Sequence, residues 1–243
     1  MHIDVITIFP GMFRAVLGAS IIKRAQAKGL LRIRLHDLRR YTHDRHRSVD
    51  DRPYGGGPGM VMKPEPIFGA LEAIRAPKRA RRSTPLDAGR VILMSPDGEP
   101  LSTALAKELA SEPRLVIIAG HYEGVDDRVT TVVDRSVSIG DYIVTGGELP
   151  AMVLIDAVAR FLPGVIGHEQ ATVEESFADG LLEYPQYTRP PVFRGMAVPD
   201  VLLSGNHAQI SHWRKRQALA RTRALRPDLI TKHGTLRATK RVL

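Results

Sequence analysis

The sequence predicts an α/β fold with a mostly parallel sheet, followed by a small basic helical region. Two observations carry this prediction. Apolar runs rich in β-branched residues alternate with helical patterns, which is typical of β-α-β units. Lysine and arginine are concentrated in the C-terminal residues 206–243, which contain ten of them and a single acid, Asp228. A length of 243 residues suffices for one large domain with a small appendage.

The N-terminal elements follow from local patterns. HIDVITIF at 2–9 predicts a strand that a Pro-Gly pair ends. Two short helices are expected at 12–18 and 20–29, and Gly29 ends the second as its C-terminal cap. LLRIRLHDL at 30–38 alternates apolar and basic residues, which indicates a half-buried strand.

Two further strands are expected at the centre of the sheet. RVILMS at 90–95 and RLVIIAG at 114–120 are short, continuous apolar runs, which suits strands buried on both faces. LSTALAKELA at 101–110 predicts the crossover helix between them.

A long apolar helix follows the sequence TGGELP. Thr145 with Glu148 matches a capping box, but a helix starting there would place Pro150 beyond the first turn. Gly147 as the cap keeps Pro150 in the first turn, so we expect the helix to start at Gly147.

Composition restricts the function classes. The chain has no cysteine, which excludes disulfides, zinc-thiolate sites and cysteine nucleophiles. The first residues lack a secretory signal and the longest apolar stretch is too short to cross a bilayer, so we expect a cytoplasmic protein with no membrane partner. The net charge of +9 indicates a polyanionic partner, in the first place nucleic acid. A solvated basic helix face without a partner is the alternative.

The chain is expected to divide at residues 163–180, a segment that contains several acids and no Lys or Arg. We interpret it as a flexible linker between a domain at 1–162 and a basic helical domain at 181–243. Another loose loop is expected at 75–89. The helix predicted at 207–225 docks through one face, formed by Ile210, Trp213, Gln217 and Ala220.

Three loops leave the predicted strands at 95–101, 119–129 and 138–150. Ligands of doubly wound sheets lie beyond the carboxyl ends of the strands, so these loops are expected to line a pocket. They contain many glycines and few charges, and none has the Lys-Ser/Thr of a phosphate loop. A wall of backbone groups favours adenosine or another neutral heterocycle over a triphosphate.

Three other features have open interpretations. VDDRPYGGGPGMVMKP at 49–64 is either a rigid loop that presents backbone groups or a tight surface turn. Asp156 and Arg160 have the spacing of a helix-surface ion pair, which we favour from spacing alone. His43 and His46 lack a third metal ligand, so a basic loop surface is favoured over a metal site.

The longer motifs together resemble the bacterial tRNA (guanine-N1)-methyltransferases, the TrmD family. The resemblance runs from residue 1 to about 229, and motifs of this length are highly specific. It is carried by ITIFPGMFRA, THDRHRSVDDRPYGGGPGMVM, GHYEGVDDRV, SIGDYIVTGGELPAMVLIDAVARFLPGVIGHE, ESFADGLLEYPQYTRPPVFRGM and VPDVLLSGNHAQISHWR.

The resemblance implies a SPOUT-like fold with a deep trefoil knot that holds S-adenosylmethionine in a bent conformation, in a homodimer with its active site at the interface. Strand patterns alone predict no knot. The implied cofactor-binding residues are Ser95, Pro96, Gly120, Tyr122, Glu123, Gly124, Ser138, Ile139, Gly140, Asp141, Tyr142, Ile143, Val144, Gly146, Gly147 and Pro150.

The implied substrate is the anticodon arm of tRNA, methylated at N1 of the guanosine immediately 3′ of the anticodon (position 37) when another guanosine precedes it. The implied tRNA-binding residues are Asp50, Pro58, Gly59, Arg189, Ser204, His207 and Arg214. Family members use Mg²⁺, so an assisting ion is implied, although no dedicated ligand cluster is evident in the sequence.

The implied catalytic residues are Arg160, which stabilises charge on guanine O6, and a carboxylate base supplied by the linker of the other subunit. The family usually has Asp before Ser-Phe, whereas this chain has Glu175, with Glu174 as the neighbouring candidate. His121 stands where Arg is common. The rival hypotheses are a non-catalytic RNA-binding protein on the same scaffold and, more remotely, a nucleotide hydrolase.

Overall fold

The computed structural model describes residues 1–76, 89–167, 172 and 175–230. The chain forms two compact units, Met1–Gly167 and His168–Leu243. The boundary between the units falls inside the predicted linker, and the assignment of the linker as a flexible lid stays a prediction. Most of the predicted loop at 75–89 and all of 231–243 lie outside the described residues.

The first unit is built on a five-stranded sheet in which every neighbouring pair is parallel. Its strands are β1 His2–Thr7, β2 Arg32–Asp37, β5 Arg90–Pro100, β6 Arg114–Ala119 and β7 Arg135–Ser138. Their order in the sheet is β2-β1-β6-β5-β7. Two short strands, β3 Asp50–Asp51 and β4 Val61–Met62, pair antiparallel beside this sheet. The predicted mostly parallel α/β architecture is confirmed.

Helices cover both faces of the sheet. They are α1 Phe13–Leu17, α2 Ser20–Ala27, α3 Pro64–Arg75, α4 Thr103–Ala110 and α5 Glu148–Ala159, with 3-10 turns at Pro10–Met12, Leu38–Tyr41 and Asp127–Val132. Successive residues of a strand point to opposite faces. Accordingly Ile117 packs in the cluster under α1, α2, α4 and α5, whereas Ile118 packs in the cluster under α3.

Several local predictions are confirmed. Residues 91–94 and 115–119 are almost fully buried, as expected of central strands. Gly29 follows α2 with a φ of 72°, a left-handed conformation that glycine adopts without strain. Gly147 is the N-cap of α5, so Pro150 lies in its first turn.

One boundary was predicted wrongly. β5 continues to Pro100 instead of ending at Ser95, because Glu99 and Pro100 pair with β7 after a register shift. The intervening residues bulge from the ladder, and Gly98 lies so close to the backbone of β7 that a Cβ would lie 2.4 Å from the amide nitrogen of Val137. Pro96 and Gly98 are typical of a turn, so the sequence gives no sign that the strand pairs again with β7 after them.

The sheet also contains a buried polar network. Asp4 of β1, only 2% exposed, accepts hydrogen bonds from His36 Nε2 at 2.7 Å and from Arg114 Nε at 2.9 Å. Burial by itself raises the pKa of Asp4, but the hydrogen bonds and charges of His36 and Arg114 outweigh it and hold the pKa below its ordinary value.

The second unit contains a hairpin and two helices: β8 Val192–Phe193, β9 Met196–Ala197, α6 Asp200–Leu203 and α7 His207–Leu225. Trp213 is buried in this unit, as expected. Ala220 was predicted wrongly to share the buried face, because it is exposed. Thr222 is buried instead, and its hydroxyl accepts a hydrogen bond from the backbone N–H of Leu182 at 2.9 Å.

Candidate active site

A cavity of about 320 Å³ lies at the bulge of β5 and at the carboxyl ends of β6 and β7. These three strands are neighbours in the sheet, so the three segments predicted as loops meet there, although residues 95–100 belong to β5 and not to a loop. Every residue predicted to bind the cofactor lines this cavity, with the exception of Asp141: Ser95, Pro96, Gly120, Tyr122, Glu123, Gly124, Ser138, Ile139, Gly140, Tyr142, Ile143, Val144, Gly146, Gly147 and Pro150.

The loop after β7 packs directly on the end of β6. The backbone N–H of Gly147 donates to the carbonyl of Gly120 at 2.6 Å, and Gly146 forms a bridge with His121. A Cβ on Gly147 would lie 2.8 Å from the amide nitrogen of Gly120 and 3.0 Å from Cα of Ala119. Glycine at this position is therefore required by the close approach of two backbones.

A buried carboxylate anchors the same loop. Glu148 is 1% exposed, and its Oε1 accepts a hydrogen bond from the Thr7 hydroxyl at 2.8 Å. Its Oε2 lies 3.1 Å from Nδ1 of His121, which donates because a carboxylate only accepts. The rings of Phe9 and Tyr122 enclose His121 edge-on, each with its centroid 4.9 Å away. Glu148 thus connects β1, the end of β6 and the start of α5.

Asp141 does not line the cavity and lies at the centre of a tight turn. The N–H of Tyr142 donates to the carbonyl of Gly140 at 2.9 Å, across Asp141, whose side chain is exposed. Gly140 has a φ of 145°, and the ring of Tyr142 lies against it. Tyr142 and Ile143 remain 57% and 79% exposed, so two large apolar side chains stand at the cavity rim.

The glycine-rich loop is attached to this cavity. At residues 60–62 of this loop, which spans 49–64, backbone hydrogen bonds join the chain to residues 123–126. One of them runs from the N–H of Glu123 to the carbonyl of Met60 at 3.0 Å. Gly59 lies so close to Glu123 that a Cβ would approach the carboxylate side chain to 2.4 Å. Of the predicted tRNA-binding residues, Gly59 therefore lies against the cavity wall, Pro58 precedes it and Asp50 is in β3.

The remaining predicted tRNA-binding residues belong to the second unit. Arg189 and Arg214 line a separate cavity there, of about 510 Å³. Ser204 follows α6 and His207 begins α7, and both side chains are exposed.

The two predicted catalytic residues lie in different units. Arg160 is the C-cap of α5 and is partly buried, with its backbone N–H donating to the carbonyl of Asp156 at 3.3 Å. Glu175 is also partly buried, and its carbonyl accepts from the N–H of Ala178 at 3.2 Å. Glu174 lies outside the described residues.

Five lining residues were missed by the sequence prediction: Leu93, Met94, His121, Val125 and Val137. Four are apolar residues within β5 and β7 or in the loop after β6, where the sequence pattern indicates only core packing. His121 had a usable signal, since it stands directly between Gly120 and Tyr122 in the second predicted loop.

Within the described ranges, no cluster of three or more His, Asp or Glu side chains has the geometry to hold a metal ion. His43 and His46 are both exposed. No helix in the described part of the chain is long and apolar enough to cross a membrane.

Comparison with known proteins identifies similar sequences along nearly the whole chain. The model of a family described as tRNA (Guanine-1)-methyltransferase TrmD matches residues 1–232. A tRNA (guanine-N(1)-)-methyltransferase of Moorella thermoacetica is 57% identical over 233 residues, covering 96% of this chain and 91% of that protein. Proteins of the same name from Chloroflexus aggregans and Geobacillus kaustophilus are 54% and 53% identical, each over 96% of this chain and over 88% and 93% of their own lengths.

Proposed function

Because the chain belongs to the TrmD family of tRNA (guanine-1)-methyltransferases, we propose that it methylates N1 of the guanosine at tRNA position 37 when a guanosine precedes it. The observation that carries this proposal is the cavity between the bulge of β5 and the ends of β6 and β7, lined by the residues that the family motifs imply. A tRNA substrate also implies that the protein works in the cytoplasm.

The cavity suits S-adenosylmethionine. Its wall contains five glycines and only one carboxylate side chain, Glu123, so it offers mainly backbone donors and acceptors to a heterocycle. Main-chain groups of Ile139, Tyr142 and Val144 would bond the adenine edge. When bound, this cofactor supplies an electrophilic methyl group.

Two side chains would assist at the guanine. N1 of guanine carries a proton, and the Glu175 carboxylate would accept it as N1 gains the methyl group. Negative charge that develops toward O6 would be stabilised by the guanidinium of Arg160.

The length of Glu175 is the sensitive point. Glutamate is one methylene longer than aspartate, and a misplacement of about 1 Å can cost on the order of a hundredfold in rate. We propose that the segment containing Glu175 is seated to accommodate the longer side chain. Its ordering on tRNA binding would couple recognition to proton removal.

A homodimer is supported by an apolar surface on the first unit. Met12, Val16, Leu149 and Val153 are each 42–48% exposed, on the adjacent segments that contain α1 and α5. Leu149 and Val153 are four residues apart and therefore share one face of α5. We propose that a second copy covers this surface and supplies its Glu175 to the site.

The close packing of Gly147 on Gly120 supports a further proposal, that the loop after β7 belongs to a trefoil knot. We also propose Mg²⁺ as an assisting ion, which adding and removing the metal during methyl transfer would test.

Methyl transfer from labelled S-adenosylmethionine to an unmodified tRNA transcript with guanosines at positions 36 and 37 tests the proposal. The wild type is expected to label that tRNA but not a transcript with adenosine at position 36. Glu175→Gln should abolish most transfer, whereas Glu175→Asp should retain it. A wild type that binds cofactor and tRNA but transfers no methyl group would instead indicate the rival function, a non-catalytic RNA-binding protein.

A further inference from the structure

The second unit contains a cavity of about 510 Å³, formed by residues between Tyr184 and Arg214. It lies within one unit and is separate from the cavity at the sheet edge. Its walls combine aromatic, aliphatic and arginine side chains, and no acidic residue lines it. We propose that this cavity binds one unstacked base of the RNA substrate, a base other than the guanine that is methylated. This inference rests on the proposed tRNA substrate.

The cavity presents aromatic surface to a ligand. Tyr184 and Tyr187 line the cavity, and Tyr187 is 49% exposed. The Tyr187 ring leans on the buried Trp213 at a centroid distance of 6.4 Å, so it is supported from within the unit. Single-stranded RNA is read by splaying out its bases and stacking them on aromatic rings or guanidinium planes.

Arg214 places a cation beside this aromatic surface. Its guanidinium lies over the ring of Tyr184, 4.7 Å from the centroid. Its Nε is buried and has no hydrogen-bond partner among the described residues. A buried donor without an acceptor is unfavourable, so a ligand that supplies an acceptor to the Arg214 guanidinium would bind favourably here. Nucleobases carry such acceptors on their edges, including N7 and O6 of guanine and O2 of pyrimidines.

The shape and charge of the cavity favour a base over other occupants. Val198, Leu202 and Ile210 give it aliphatic walls, which suit the apolar faces of a base better than a hydrated phosphate. An apolar side chain from another protein would contact these aliphatic walls but would leave Nε of Arg214 without an acceptor. The clustering of Lys and Arg at 206–243 also attracts a polyanion that brings its bases with it.

The test combines RNA lacking single bases with variants of the full-length protein. The probe is an unmodified anticodon stem-loop in which each loop position in turn is made abasic. Trp213 is the only tryptophan of the chain and lies beside Tyr187, so its fluorescence reports on this cavity. One position other than 37 should lose about 5- to 150-fold in affinity when its base is removed, the range expected for one stacked base.

Tyr187→Ala should cause a loss of similar size with intact RNA, and little additional loss with that one abasic RNA. Tyr187→Phe keeps the ring and should bind like wild type. Phe193→Ala is the matched control, because Phe193 is an exposed aromatic of the same unit that does not line the cavity. Stacking involves no ion pairing, so Tyr187→Ala should leave the salt dependence of binding unchanged.

The proposal is wrong if no abasic position is coupled to Tyr187, or if Tyr187→Ala binds RNA as tightly as wild type. It is also wrong if Tyr187→Ala weakens self-association instead, since a second copy would then occupy the cavity. Methyl transfer separates this inference from the proposed function. If an abasic position is coupled to Tyr187 but no methyl group is transferred, the proposed methyltransferase function is wrong and the base-binding cavity is supported. If methyl transfer occurs without that coupling, the function is supported and the base-binding cavity is wrong.

Discussion

Substitution of Gly147 by alanine tests how the candidate active site is built. The added Cβ would lie 2.8 Å from the amide nitrogen of Gly120, and 3.0 and 3.1 Å from two backbone carbons of Ala119. These neighbours are backbone at the end of a central strand, so no flexible side chain can move aside. Such overpacking costs about 1–3 kcal/mol. Gly147 has a φ of −73°, which alanine adopts, so reduced freedom of the unfolded chain returns up to about 1 kcal/mol.

The net expectation is a loss of about 1–2 kcal/mol in the free energy of unfolding. For a domain of this size that lowers Tm by about 2–8 °C. The effect on cofactor binding should be larger in proportion. Gly120 and Gly147 both line the cavity and must separate by roughly half an ångström to reach ordinary van der Waals distance. A cavity displaced by that distance should bind S-adenosylmethionine more weakly than wild type, and methyl transfer should fall by about tenfold, since a misplacement of about 1 Å can cost about a hundredfold in rate.

Calorimetric titration with S-adenosylmethionine, together with thermal unfolding, measures both effects. Gly11→Ala is the matched control, since a Cβ at Gly11 meets no atom within 4 Å. That variant should stay within about 0.5 kcal/mol of wild type and bind cofactor normally. Equal stability and equal cofactor affinity in the two variants would refute the account of loop packing on β6.

Three further predictions concern stability and assembly. Glu148→Ala leaves the Thr7 hydroxyl without its buried acceptor, and should lower the free energy of unfolding in urea by about 1–3 kcal/mol, with wild-type stability arguing against the anchor. The pKa of Asp4 is lowered in the folded state, so the unfolded chain binds the proton more readily. The free energy of unfolding of wild type should therefore fall as pH drops below about 4. Asp4→Asn should be less stable than wild type at pH 7 and should lose less stability over that pH range. Val153→Glu introduces a charge into the exposed apolar surface and should convert a dimer into monomers in sedimentation, whereas Val192→Glu on the hairpin of the second unit should not.

Local chemistry explains which predictions succeeded. The start of α5 at Gly147 follows from the position of Pro150, because a proline restricts the helix interior wherever the helix packs. The buried strands β5 and β6 follow from short runs of β-branched and aliphatic residues that only a covered sheet accommodates. The convergence of three segments on one cavity needs only the parallel arrangement, since neighbouring parallel strands run toward the same side of the sheet.

Contacts between distant segments explain the rest. Glu148 and Thr7 are 141 positions apart, and nothing local to either residue indicates that a carboxylate and a hydroxyl will meet in the core. The same holds for the extension of β5 along β7 and for Thr222 in place of Ala220 on the buried face of α7. Local residue patterns were sufficient to predict most helices and strands, the basic region and the segments that form the site. The partners of the buried polar side chains, such as Thr7 for Glu148, follow only from the folded chain, because the free energy of a buried polar group depends on groups brought together from distant parts of the sequence.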